Sequence, residues 1–253
     1  MRRCLQIGGL GRREPGVRYR WRLFVLPAKP DDLFIAWCSD GTAVDKFHQS
    51  LYATMAELGA IIPWGALNGG PTVPQNRNTV VRGFLNTPYQ WLLFLDDDMV
   101  FDPQAIQLLL ATADAKRMPI VGGMACGIDE ETREIRPTLY FWDETHEHPG
   151  PVYKTIVTWE PGKILKVDAT GCACLLIHRS VFEKIDGKYG EAFPWFAYGT
   201  QGNGALPTGE DLEFCRRARE QGFPVFVHTG AKFGHRKSIV VSVDDYEMPE
   251  EAQ

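Results

Sequence analysis

Residues 90–103 read QWLLFLDDDMVFDP, and the fold turns on this stretch. Trp91, Leu92, Leu93, Phe94 and Leu95 are apolar without a break. An edge strand with one wet face would alternate, so a continuous run predicts a strand covered on both sides, as in a sheet with helices on each face. Three carboxylates follow at once, Asp96, Asp97 and Asp98. Ligands of open α/β sheets bind beyond the carboxyl ends of the strands, which is where these acids fall. Adjacent ionised carboxylates repel, and a divalent cation relieves the repulsion. If the backbone stays extended, Asp96 and Asp98 point one way and Asp97 the other. The same residues also read as a polar turn into a helix that Asp102 caps and Pro103 starts.

Upstream, residues 33–38 (LFIAWC) read as a first strand ending in Ser39-Asp40-Gly41. Thr42 is placed to cap a helix running to Leu58, with Val44, Phe47, Leu51, Met55 and Leu58 at helical spacing and Gly59 ending it. Residues 60–64 are expected as a second strand, 68–71 as a loop, and 77–85 as a helix. After Pro103 comes another helix, then an apolar strand at 120–124. This alternation predicts a doubly wound α/β half.

Downstream the pattern becomes strand-rich. Strands are expected at 138–142, 153–159, 164–168 and 172–177, a short helix at 180–185, a glycine-rich loop at 199–204, a helix at 210–221 and a last strand at 225–227. Cys172 and Cys174, two apart, are expected on one strand face, and the six cysteines, without zinc-ribbon spacing, as buried thiols of a reducing cytosol. His146 and His148 form an HxH read as an exposed polar turn, with metal binding as the other reading.

The 253 residues are 44% hydrophobic, enough for a substantial core. The net charge of −5 is unevenly spread. Arginines 2, 3, 12, 13, 18, 20 and 22 stand against Glu14 alone, so the first 22 residues carry +6 and the rest −11. Such an arm is either a solvated tail or a contact for phosphates or anionic lipid. No apolar stretch reaches the length of a membrane-crossing helix, and the start lacks the apolar core of a secretory signal.

Four motifs then occur in one order: NRN at 76–78, LFLDDDMVFDP at 93–103, DATGCACLLIHRSVFEKI at 168–185, and TGEDLEFCRRAREQGFPVFV at 208–227 followed by His235. This series resembles the GT-A nucleotide-sugar glycosyltransferases, in particular the small bacterial and phage enzymes related to family two, over about residues 33–236. The resemblance implies a GT-A fold: a Rossmann-like, mostly parallel sheet flanked by helices, with a smaller mixed sheet on the acceptor side. It divides the chain into a basic arm (1–30), a single transferase domain (31–240, nucleotide-binding to 124 and acceptor-binding beyond) and an acidic tail (241–253). A cytoplasmic location in a bacterial or phage-infected cell goes with it.

The same resemblance assigns roles. Asp96 and Asp97 would contact the nucleotide, and Asp98, with Asp96, would coordinate Mn²⁺ or Mg²⁺ bridging the donor phosphates. His235 would complete the metal shell, tilting preference toward Mn²⁺. Asp211, with Glu210 second, would be the general base of an inverting transfer, although acids in a first helical turn also serve the helix dipole. Asp40 would face the nucleobase, and Asn76 and Arg77 the base or diphosphate. Gly171 would leave room for the donor sugar. Trp195, Phe196 and Tyr198 are either core or an acceptor platform. The implied donor is a UDP- or GDP-sugar, and the acceptor a hydroxyl of a protein, glycan, lipid or modified DNA. Two competitors stand beside this reading. A nucleotidyltransferase of related fold would want a glycine run and Lys after the first strand, where Ser39-Asp40-Gly41-Thr42 stands. A non-catalytic nucleotide-sugar or carbohydrate-binding module would not need Asp98, Asp211 and His235 together.

Overall fold

The computed structural model describes residues 29–39, 45–59, 62–68, 72–128, 134–145, 147 and 149–236. Residues 1–28 of the basic arm, Asp40, Thr42, His146, His148 and the acidic tail lie outside them. In chain order the first half runs β1 (Leu33–Ser39), α1 (Asp45–Leu58), β2 (Trp64–Asn68), α2 (Val73–Leu85), β3 (Trp91–Leu95), β4 (Met99–Phe101), α3 (Pro103–Thr112) and β5 (Ile120–Met124). The second runs β6 (Cys126–Ile128), β7 (Ile135–Pro137), β8 (Leu139–Asp143), β9 (Val152–Thr155), β10 (Ile164–Val167), β11 (Ala169–Thr170), β12 (Cys174–His178), α4 (Arg179–Ile185), β13 (Gly199–Gln201), β14 (Leu206–Thr208), α5 (Glu210–Glu220) and β15 (Val225–His235).

Every residue of β3 is buried. Its alternation explains why no polar residue is tolerated there. Leu92 and Phe94 join a core with Val81 and Phe84 of α2, Phe182 of α4 and Phe214 of α5. Trp91, Leu93 and Leu95 join the opposite core with Phe47 and Leu51 of α1 and Ile106 and Leu109 of α3. At roughly 1.5–3 kcal/mol per buried side chain, this one strand contributes on the order of 10 kcal/mol, an upper figure because the unfolded chain is already partly collapsed.

The main sheet has the order β10-β15-β5-β12-β3-β1-β2, with β4 paired to β15. β2, β1, β3, β5 and β15 run one way, and β12 lies antiparallel between β3 and β5. The sheet is therefore mostly parallel and flanked by helices, with smaller sheets β11-β8-β9, β13-β14 and β6-β7 beside it, as the GT-A expectation requires. Among the described residues no helix is long and apolar enough to cross a membrane.

Several boundaries differ from the sequence reading. β2 spans Trp64–Asn68 rather than 60–64, in a parallel register that sets Trp64 against Ile35. α2 begins four residues before the expected 77, because Thr72 accepts the Gln75 N–H and Pro74 suits a first turn. β9 ends at Thr155 instead of continuing to 159. β12 starts at Cys174 after a turn at 172–173, so Cys172 and Cys174 fall into opposite cores rather than on one face. Cys172, Cys174 and Cys215 are buried thiols, whereas Cys38 and Cys126 are partly exposed.

The largest departure is β15. It was expected at 225–227 and runs for 11 residues. It first pairs with β10 and β5, shifts register between His228 and Lys232, and then pairs with β4, an element absent from the sequence reading. A β-bulge of this kind bends a strand and redirects its end.

Candidate active site

A cleft of ≈ 420 Å³ opens beyond the end of β3, and the termini of β1, β3, β15, α2 and α5 line it. Asp96, Asp97, Asp98, Glu210, Asp211, Arg77, Gly171 and His235 all contribute to its wall. The acids at 96–98 are not extended. Asp96 N–H donates to Ala173 O at 3.0 Å, and Met99 N–H donates back to Asp96 O at 3.1 Å, closing a turn. The turn brings Asp97 into the cleft beside its neighbours, contrary to the alternation expected of a strand.

β4 leaves that turn antiparallel to β15, with His235 opposite Met99 and Arg236 N–H donating to Asp98 O at 2.9 Å. This register carries His235 across a separation of 137 residues to Asp98, with Nε2 2.8 Å from Oδ2. The other ring nitrogen, Nδ1, faces Cys126 O at 3.2 Å. A carbonyl only accepts, so Nδ1 carries the proton. In a neutral ring Nε2 is then a lone pair aimed at a carboxylate oxygen. Two acceptors at that distance need a cation between them, either a proton or a metal ion. An N/O donor set of this kind fits Mn²⁺. Among the described residues no three His, Cys, Asp or Glu side chains group as a self-sufficient metal site.

Arg77 projects from the second turn of α2 and is 6% exposed. Nη1 donates to Glu210 Oε1 at 2.6 Å and Nη2 to Asp96 Oδ1 at 3.1 Å. The guanidinium also lies 6.0 Å from the Phe94 ring centroid and 5.9 Å from that of Phe196. Burial alone would disfavour the cation, but the neighbouring Cys172, Asp96, Glu210 and Asp211 raise its pKa above the ordinary value.

Asp211 lies in the first turn of α5, after the N-cap Gly209. Its Oδ1 accepts the Leu212 N–H at 2.8 Å. Desolvation, reinforced by the charge of Glu210, pushes its pKa up to about 6, while Arg77 opposes the rise. A Cβ added to Gly171 would stand 3.4 Å from Thr138 Cβ and 3.5 Å from Asp211 Oδ2, so the glycine keeps this part of the wall open. Glu213 faces away from the cleft. Burial would raise its pKa, but bonds from Arg216 and Arg217 outweigh burial and hold it below the ordinary range.

Five carboxylates thus share the cleft, and among the described residues that line it Arg77 is the one permanent cation. Asn76 is not among those lining residues. Asn78 is fully buried: Nδ2 donates to Pro74 O and Phe196 O, and Oδ1 accepts the Trp195 N–H, so it fastens α2 to the 195–196 segment. Trp195 and Phe196 are core residues at 2% and 0% exposure, not a platform; Tyr198 alone of the three is exposed. Asp40 lies outside the described residues. Sequence reasoning missed Cys38, Thr138 and Cys172 in the wall and the Cys126 carbonyl behind His235. The capping residue Thr72 was a legible signal for the true start of α2 and hence for the depth of Arg77; the Cys126 contact had none.

A family model described as glycosyltransferase like family 2 matches residues 67–243. No curated protein matches the chain. Among solved structures, A197 from STIV is similar at 18% identity, with 83% of this chain and 97% of that one covered and a TM-score of 0.49. GalNAc-T7 with UDP, GalNAc and Mn²⁺ is similar at 12% identity, covering 84% of this chain and 44% of that one, with a TM-score of 0.48. The inositol-1-phosphate CTP transferase from T. maritima is similar at 8% identity, covering 87% and 93%, with a TM-score of 0.42.

Proposed function

The chain belongs to the glycosyltransferase-like family 2, and on that premise we propose that it is a divalent-metal-dependent, inverting transferase moving a sugar from a nucleoside-diphosphate donor to an acceptor hydroxyl. The observation that carries this reading is the convergence of Asp98 and His235, 2.8 Å apart, on a cleft of five carboxylates whose one permanent cation among the described lining residues is already bonded to Asp96 and Glu210. A donor diphosphate would add further negative charge there. Asp98 and His235 would hold Mn²⁺ or Mg²⁺, which when bound neutralises the departing diphosphate.

Asp96 and Asp97, which line the cleft, would face the nucleotide of the donor, and Gly171, beside Asp211, would leave the donor sugar room. The acceptor oxygen attacks the anomeric carbon as the bond from that carbon to the diphosphate oxygen breaks. The electron pair leaves with the diphosphate, and the acceptor proton passes to Asp211, with Glu210 adjacent. A carboxyl with a pKa of about 6 is ionised at neutral pH and is a stronger base than an ordinary aspartate.

The test is a screen of UDP-, GDP-, TDP- and CMP-sugars by thermal shift and product release, with Mn²⁺ present or chelated. Saturating one donor class at 100 Kd should add about 2.7 kcal/mol of stability, with release of the nucleoside diphosphate, and chelation should abolish both. Release of pyrophosphate would replace this reading with nucleotidyl transfer. Metal-dependent binding without turnover would replace it with a binding module.

A further inference from the structure

We infer that Arg77 is a positioning residue: it does not contact the donor but braces the β3-end carboxylate Asp96 against Glu210, so that α5 presents Asp211 to the cleft. The inference rests on the transferase reading above. Both terminal nitrogens of the guanidinium donate to carboxylates from different elements, at 2.6 and 3.1 Å. Phe94 of β3 and Phe196 pack together on one side of it, their ring centroids 6.0 and 5.9 Å from Cζ and 5.5 Å from each other. At 6% exposure the cation has little surface left for a phosphate oxygen.

The brace has a rigid mount. Arg77 is followed by Asn78, whose four-way bonding to Pro74, Trp195 and Phe196 fixes the second turn of α2 against the core. From that fixed point the planar fork spans Asp96 and Glu210 simultaneously. A lysine ammonium is a single point charge on a flexible stem and cannot span two carboxylates in the same way. Glu210 and Asp211 share the first turn of α5, so any displacement of Glu210 turns Asp211 with it. Loss of the fork also leaves Asp96 and Glu210 as unpaired acids facing the same space.

Arg77→Met and Arg77→Lys, each checked for folding by circular dichroism and thermal unfolding, test the inference. Turnover and donor affinity are measured separately with Mn²⁺ present, the latter by calorimetry with the donor that the wild-type chain uses. We expect kcat to fall about 100-fold in Arg77→Met and about 10-fold in Arg77→Lys, with donor Kd within about threefold of wild type in both. If Arg77→Met does not fold, Arg77→Lys carries the same split between kcat and Kd. Parallel losses of affinity and turnover would overturn the inference, since a direct phosphate contact predicts them. Unchanged turnover in a folded variant would overturn it too. A wild-type chain inert toward every nucleotide sugar would instead remove the transferase reading, and the inference with it.

Discussion

The two ends of the cleft use similar residues to opposite effect. At one end Arg77, Asp96 and Glu210 form a hydrogen-bonded set in which a buried cation meets two acids with fitting geometry. At the other, His235 faces Asp98 Oδ2 through Nε2 and Cys126 O through Nδ1. The first arrangement is satisfied by the chain itself and stabilises it. The second is a His–carboxylate contact that a shared proton or a bound metal ion can bridge, and it is the end proposed to hold the metal.

The contrast is broken most directly by removing the cation. Chelation, or Asp98→Ala with Mn²⁺ present, should reduce sugar transfer by about 10³–10⁴-fold, several kcal/mol of lost charge stabilisation. Thermal unfolding of the metal-free chain should hardly change, because the Arg77 brace does not depend on the ion. A large drop in Tm when chelator strips the metal from the donor-free chain would contradict the separation.

Asp211→Asn should lower kcat by about 10³-fold while leaving donor affinity intact. It should also stabilise the fold at neutral pH. The folded-state pKa of about 6 lies above the usual 3.8, so the folded chain holds this proton more tightly than the unfolded one. The contribution to stability is therefore full below about pH 4 and lost as pH rises through 6, above which the ionised group costs at most about 3 kcal/mol, less for its partial contact with water. Unfolding of Asp211→Asn and wild type compared across pH 4–8 checks this: the gain in Tm should vanish at the acid end. Turnover of the wild type should decline below about pH 6 as the base is protonated.

Gly123→Ala sharpens the comparison from a distance. Its new methyl would overlap the Phe233 ring and approach Cys174 Sγ to 2.9 Å. The strand that carries Phe233 ends at His235, so the metal end should be disturbed and the brace spared. A stability loss of about 1–3 kcal/mol should accompany weaker Mn²⁺ dependence, read as a raised Mn²⁺ concentration for half-maximal rate. The smallest effect is expected from Gly171→Ala, whose methyl would sit at ordinary contact distance from Thr138 and Asp211. Tm should be unchanged and the donor KM should rise a few-fold, up to about tenfold.

The legibility of the chain follows the range of the interactions involved. Trp91–Leu95 and Ile120–Met124 were readable because burial on two faces demands an unbroken apolar run. The first turn of α5 was readable from its acids. The start of α2 lies at Val73 rather than 77 because Thr72 caps it, which places Arg77 in the second turn and buries it. β4 and the second half of β15 were missed because three-residue pairing leaves no periodicity in the string.

From its sequence alone the chain determined a two-faced sheet, acids at the carboxyl end of its central strand and a helix opening on Glu210-Asp211, since side-chain hydrophobicity and local capping act over a few residues. Tertiary structure alone decided which acids meet the Arg77 guanidinium and which meets the His235 imidazole. That choice depends on a strand register joining positions 137 residues apart and on a guanidinium reaching 133 residues to Glu210. Contacts of that range are set by how whole elements pack, and no local pattern encodes them.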